Sequence, residues 1–351
     1  MSLDKRMHFI RNMEALKKVE SDFIEYEITS DADIAGEFAY GPYRLMLWDF
    51  SEKKDGEERK LCLRIEKKIP GRDEDPWKTA EKAAYYHGGG IEGELIAFAS
   101  LFLRRRFKIG PQVRWNDKPF IKLGYKNQID GQLVEGKSNL TDLTQWFKLV
   151  ENLDGRFHQR YILAVRLYHK AIQMIEEEPD LAYLNLVSAI EVLCQKTDIE
   201  PISLFEVNPK LAKVLEKVED LDLRREIEEA ALKRQGFIRR RFVAFILKHV
   251  EDSFWKEEKR PEPCYGRIEP EKLEELLKRI YDQRSKTLHN GEPFPPSIFD
   301  APVMGAEIHF SLGMSKGEKK WEPKDYIPNL IFFERLVNHV LKNFLEKNQN
   351  E

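Results

Sequence analysis

Glu271-Lys-Leu-Glu-Glu-Leu-Leu-Lys-Arg-Ile-Tyr-Asp-Gln-Arg-Ser-Lys-Thr-Leu-His289, followed by Asn290-Gly291, is the stretch on which the fold reading turns. Leu273, Leu276, Leu277, Ile280, Tyr281 and Leu288 recur at three- and four-residue spacing, which predicts one helix with a single buried stripe. Asn290-Gly291 then stops it. At about 100° per residue Arg284 falls about 20° from Leu277, inside that stripe. A guanidinium placed there demands a carboxylate, a phosphate or a dimer interface.

The partner surface lies upstream, on a helix expected over Leu181 to Lys196. Leu184, Leu186, Val187, Ala189, Ile190, Val192 and Leu193 make it apolar nearly all round. Its exceptions, Asn185, Ser188, Glu191 and Gln195, fall within an arc of about 120° and form one polar seam. Glu191 is the natural counter-ion of Arg284. The pair can be read as a device that fixes helix register in a core, or as part of a site. His289 supports the second reading, because a histidine at a helix end can leave the packed face and titrate near neutrality.

Around these two helices the pattern from Leu140 onward is helix after helix. Further helices are expected over Thr141 to Val150, Arg156 to Glu178, Lys210 to Glu219, Leu223 to Val250 and Pro328 to Lys347, with short loops that favour a bundle. Residues 292–325, rich in proline and glycine, read as an irregular insertion. The first 140 residues read differently. Asp22 to Ile28, Tyr43 to Phe50 and Leu61 to Ile65 alternate or are rich in aromatic and β-branched residues, as an antiparallel group of strands would be. A helix over Glu94 to Phe107 and a short strand over Phe120 to Tyr125 complete an α+β N-terminal module. The fold class is therefore an α+β module, 1–140, followed by an all-α bundle, 141–351, predominantly helical overall.

Composition narrows the function. The chain has 351 residues, of which 34% are charged, yet 58 basic and 61 acidic side chains nearly cancel to −3. Net charge selects no polyanionic partner. Hydrophobic content of 42% is enough for ordinary cores. Cys62, Cys194 and Cys264 are too few and too far apart for a disulfide framework, which points to a reducing, cytoplasmic compartment. The N-terminal stretch has no secretory pattern and no apolar run approaches a membrane span, so no membrane partner is expected.

Other motifs are weaker. Gly131 to Ser138 matches the phosphate-loop pattern, with Lys137 in the position that reaches terminal phosphates, but its entry Tyr125-Lys-Asn-Gln-Ile-Asp130 is polar where an apolar strand is needed. A surface turn is the better reading, and an ATP- or GTP-dependent enzyme the weaker one. His87-Gly88-Gly89-Gly90 is similar to an esterase oxyanion loop, yet no Gly-x-Ser-x-Gly supplies a nucleophile. His158 and His169 share a helix face but lie about 16 Å apart, too far for one metal. With no Cys-x-x-Cys or His-Glu-x-x-His either, neither a metal nor another cofactor is expected. Two arginine runs, Arg104-Arg105-Arg106 and Arg239-Arg240-Arg241, each precede a phenylalanine and are candidates for nucleic-acid contact. Such runs are more often solvated helix faces balanced by nearby acids, as Glu226, Glu228 and Glu229 would balance the second.

Arg284-Ser-Lys-Thr-Leu-His289-Asn-Gly, together with Ala182-Tyr-Leu-Asn-Leu-Val-Ser-Ala-Ile-Glu191-Val-Leu, resembles the HEPN superfamily, particularly its Apea-like branch. That family is an all-helical bundle marked by Arg, four to six residues, then His. The resemblance covers about residues 150 to 347. It implies a metal-independent endoribonuclease of defence or toxin–antitoxin type, cleaving RNA by 2′-OH attack at a homodimer interface. Arg284 and His289 would then be the catalytic pair and Glu191 the supporting acid, with Asn185, Ser188, Gln195, Ser285 and Asn290 around them. RNA, a second copy of the chain, and an antitoxin or other protein are the implied partners. Active members often carry Asn, Asp or His after the Arg, where Ser285 stands here. The alternative is a non-catalytic HEPN module that binds RNA, a nucleotide or a protein.

Overall fold

A computed structural model describes residues 6–16, 21–48, 59–68, 90–115, 118–119, 137–199, 203–234, 237–256, 266–295, 298, 307–308, 315–316, 319–320 and 325–350. Helix α1 (His8–Leu16) precedes β1 (Ser21–Ser30), β2 (Asp33–Ala35), β3 (Phe38–Tyr40), β4 (Tyr43–Leu47) and β5 (Arg59–Lys68). Helix α2 (Ile91–Leu103) then leads into β6 (Phe107–Trp115), β7 (Lys118–Pro119) and β8 (Lys137–Asn139). Helices follow: α3 (Leu143–Glu151), α4 (His158–Gln173), α5 (Pro179–Cys194), α6 (Leu204–Val207), α7 (Pro209–Leu215) and α8 (Leu221–Arg234). The last are α9 (Ile238–His249), α10 (Asp252–Trp255), α11 (Leu273–Asn290) and α12 (Leu330–Lys347). The coarse expectation, an antiparallel sheet followed by a mainly helical part, holds.

The sheet runs β3-β4-β5-β1-β6-β7 with antiparallel neighbours. Alternation on β5 explains its facing. Leu61, Leu63 and Ile65 are buried, while Arg64 projects to the other side and pairs across the strands with Glu25 at 2.7 Å. The buried side is covered by α1 and α2. Glu94 on α2 is fully buried and accepts the backbone N–H groups of His8 and Phe9 at 2.9 Å, so it satisfies the open N-terminal turn of α1. Phe9 packs in turn on Tyr43, Phe98 and Phe147.

Helix α2 ends sooner than its sequence suggests. Arg104 adopts a left-handed conformation, φ 56°, and the chain re-enters the sheet at Phe107 rather than remaining helical to that point. The cause is tertiary. Arg104 reaches Glu334 of α12 at 2.6 Å, and Arg106 reaches Asp31 at 3.0 Å and Glu176 at 2.7 Å. Tyr168 of α4 donates to Glu334 at 2.5 Å, and Asn338 donates to the Leu101 carbonyl at 2.6 Å. One hydrophobic core therefore continues from the sheet through α2 into α4, α5 and α12.

Two other boundaries differ from expectation. The helix read over Leu223 to Val250 is two helices, α8 and α9, with Phe237 left-handed at φ 42° before the second. The helix read from Arg156 to Glu178 is α4 alone, and Pro179 opens α5 at the first position, where its missing N–H costs nothing. The strand expected over Phe120 to Tyr125 lies outside the described residues. The insertion 292–325 contains, among its described residues, a short antiparallel pair of strands, Ser315–Lys316 and Lys319–Lys320.

Candidate functional site

Helix α11 is buried along Leu273, Leu276, Leu277, Ile280 and Gln283. Leu288, expected on this stripe, is instead 52% exposed. Gln283 takes the inner place, donating to Thr287 Oγ1 at 3.1 Å and to the Pro293 carbonyl at 2.9 Å, which ties the start of the insertion to the helix. Arg284 sits at the edge of the stripe. Its Nη2 meets Glu191 Oε2 of α5 at 2.8 Å, with side chains 19% and 12% exposed.

Glu191 is the hub of a small polar cluster. The Tyr281 hydroxyl hydrogen-bonds to it, and burial followed by the Glu191 charge pushes that phenol above its ordinary range. The Arg284 guanidinium carbon lies 5.7 Å from the Tyr281 ring centroid. Cys194 is one turn along α5. Burial, with Glu191 adding to it and Arg241 opposing, raises its thiol to about 12, so it is no nucleophile at neutral pH. The Nε atoms of Arg284 and Arg241 are buried without a hydrogen-bond partner among the described residues. Each of these two guanidinium groups thus keeps one donor unsatisfied.

The rest of the expected seam does less. Asn185 donates to the Leu181 carbonyl at 3.0 Å and to Met174 Sδ at 3.4 Å. Gln195, exposed, donates to the Glu191 carbonyl at 3.1 Å. Ser188 and Ser285 are half-buried. His289 and Asn290 are exposed in the last turn of α11, which Gly291 ends in a left-handed conformation at φ 67°. Five residues at about 100° each put His289 some 140° around the helix from Arg284 and roughly 7.5 Å along it. The two side chains of one chain leave the helix in different directions.

The first arginine run does not form the surface expected of it. Arg105 and Arg106 are 2% exposed, and Arg104 is tied to Glu334, so no nucleic acid reaches this run. In the second run the three residues diverge: Arg239 is exposed and pairs with Asp282 at 2.8 Å, Arg240 is half-buried, and Arg241 acts on Cys194. Lys137 is exposed and opens β8, which pairs in parallel with β2. A phosphate loop would require it to open a helix. Gly131 to Gly136 and His87 to Gly89 lie outside the described residues. Gly90 precedes the first residue of α2. His158 is buried and bonds the Leu153 carbonyl at 2.8 Å, and His169 bonds Ser100 Oγ at 3.0 Å. Among the described residues no three metal-binding side chains gather, and no helix is long and apolar enough to cross a membrane.

Tyr281 and Cys194 were not singled out from sequence as neighbours of Glu191, nor Arg241 as a neighbour of Cys194. Tyr281 alone left a signal, since it precedes Arg284 by three residues on one helix face. Comparison with protein-family models, curated proteins and solved structures returns no match.

Proposed function

We propose that the chain is a HEPN-like protein acting on RNA, a metal-independent endoribonuclease whose site is completed when two copies meet through the C-terminal bundle. The observation that carries this reading is the Arg284–Glu191 pair, half-buried and with Arg284 Nε left without an acceptor, near the end of a helix that presents His289 to solvent. Arg284 holds a non-bridging phosphate oxygen while Glu191 fixes its plane. His289 moves protons: one copy removes the 2′-OH proton, and the other protonates the 5′-oxygen as it leaves. Because His289 departs from α11 well away from Arg284, the histidine that joins a given Arg284 comes from the second chain. Exposed Leu288 beside it suits such an interface. The reading places the protein in a reducing, cytoplasmic compartment, in defence or toxin–antitoxin biology, with an antitoxin or other protein as a further partner.

A second reading, a non-catalytic HEPN module that binds RNA, a nucleotide or a protein, is favoured by one feature. Ser285 follows Arg284 and supplies neither a strong acceptor nor a titratable group. Incubation with RNA separates the two. The nuclease leaves 2′,3′-cyclic phosphate ends, persists in EDTA, spares DNA and falls by about 10²-fold in His289→Ala. Light scattering then finds a dimer. Cleavage that EDTA abolishes, or that survives undiminished in folded His289→Ala, rejects the mechanism, and absence of any cleavage favours the second reading.

A further inference from the structure

A cavity of about 350 Å³ opens where four helix ends converge, the start of α4 and the ends of α5, α9 and α12. Its apolar lining is mostly aromatic, made by Phe157, Leu193, Phe245 and Phe344. Arg156, Arg160, Lys196, Lys248 and Lys347 also line it, against one carboxylate, Asp198. No residue of α11 takes part, so the cavity is separate from the Arg284–Glu191 pair.

The cations outnumber the acids within reach. Arg156 is held by Asp154 at 2.6 Å and Lys347 by Glu251 at 2.7 Å. The side chains of Arg160, Lys196 and Lys248 make no ion pair or hydrogen bond among the described residues. None of their nitrogen atoms is among those buried without a partner, Lys196 and Lys248 are exposed, and Arg160 is half-buried. All three charges are therefore open to a ligand. Helix dipoles account for only part of this surplus. Lys248 and Lys347 stand in the last turns of α9 and α12, where each helix end offers about half a negative charge, less than its lysine brings. Arg160 lies in the first turn of α4, whose end is positive.

His249 adds an acceptor to the lining. Its Nδ1 meets the Phe245 carbonyl at 2.8 Å, so that nitrogen carries the hydrogen. Burial lowers the proton affinity of the ring, and Lys347 and Lys248 lower it further against the pull of the carbonyl. Nε2 is left as a bare acceptor with no partner among the described residues. We propose that this cavity holds single-stranded nucleic acid, with one base inside and the flanking phosphates on Arg160, Lys196 and Lys248. The base lies against Phe157, which is half-buried and edge-on to Phe344 at 5.2 Å between centroids, and donates an N–H to His249 Nε2. Aromatic rings set among cations hold single strands with little regard to sequence. The open charges come from three elements, which suits successive phosphates of a strand better than one small anion. The inference concerns binding and does not rest on cleavage at Arg284.

Fluorescence anisotropy of the full chain with labelled oligouridylate and oligothymidylate, which present the same base N–H, tests it. All proteins carry His289→Ala, so that cleavage cannot shorten the RNA, and this parent is expected to bind. Arg160→Gln/Lys196→Gln/Lys248→Gln removes the open charges of the cavity. Lys210→Gln/Lys213→Gln/Lys217→Gln removes as many exposed charges in and just after α7. The first variant is expected to bind at least about 10-fold more weakly, with the slope of log affinity against log salt shallower by about 2, and the second to bind like the parent. Phe157→Ala is expected to weaken binding by about 5-fold or more. The probe that binds names the sugar: oligouridylate alone a ribonucleotide strand, oligothymidylate alone a deoxyribonucleotide strand, both a site blind to it. The proposal is overturned if neither probe binds, if the two triple variants weaken binding alike, or if the first of them or folded Phe157→Ala binds like the parent. The triple variants decide alone should Phe157→Ala not fold.

Discussion

Glu191 answers Arg284 directly and accepts from the Tyr281 hydroxyl, which fixes its energetic role. Losing it strands a half-buried guanidinium, whereas losing both partners does not. Glu191→Gln and Arg284→Gln should each destabilise the fold, and a double-mutant cycle by denaturant unfolding should give a coupling of about 1–2 kcal/mol; coupling near zero would show the pair to be solvent-screened. His169 carries the clearest acid response. Burial, assisted by Lys170 and Arg166, lowers its pKa from 6.5 to about 4. It is neutral when folded and regains its ordinary affinity for a proton when unfolded, so its contribution is complete above pH 6.5 and is lost as pH falls toward 4. The loss amounts to about 3 kcal/mol at most. His169→Gln, which carries no titrating ring, should flatten the fall in melting temperature across that window. At this scale the Arg284–Glu191 contact was legible because both residues sit at periodic positions on amphipathic helices. The partners of Arg104 and Arg106 were not, since Glu334, Asp31 and Glu176 lie far away in sequence and only the fold brings them together.

The end of α11 decides where His289 stands. Gly291 donates to the Thr287 carbonyl at 3.1 Å and Glu292 donates to the Lys286 carbonyl at 3.3 Å, closing the last turn. A Cβ on Gly291 would meet nothing within 4 Å, so substitution there tests backbone conformation without a clash. Gly291→Ala should cost about 1 kcal/mol and shift the His289 resonances, with Gly291→Asn milder because asparagine tolerates φ above zero. Equal melting temperatures for Gly291→Ala and the wild type would show that the turn opens in solution. Helix and strand types were largely readable from periodicity, as β1, β4, β5, α5 and α11 show. Boundaries were not. The run Leu-Arg-Arg-Arg-Phe-Lys is made of helix formers, and its turn at Arg104 is imposed by ion pairs with distant elements. Helix α1 was not legible because it is only nine residues long, and its apolar face becomes meaningful only against the sheet.

Taken whole, the molecule does not divide where its sequence changes character. Residue 140 marks a switch from period-two to helical patterning, yet α2 belongs to both parts. Its Ile96, Ala97, Phe98 and Leu101 are fully buried, Phe98 stacks on Tyr161 of α4, and Asn338 of α12 bonds its Leu101 carbonyl. Removing residues 1–140 would leave Glu334, which is fully buried, without the Arg104 guanidinium that neutralises it, and would open the apolar side of α4 to water. An uncompensated buried carboxylate alone costs several kcal/mol, a large share of the stability of a domain. The full chain is therefore expected to unfold in one calorimetric transition. A fragment of residues 141–351 should retain helical circular dichroism but lose near-ultraviolet signal and cooperative melting. A fragment that melts cooperatively with dispersed amide resonances would show instead that the bundle closes without α2, and that the shared core is a docking of two independent units.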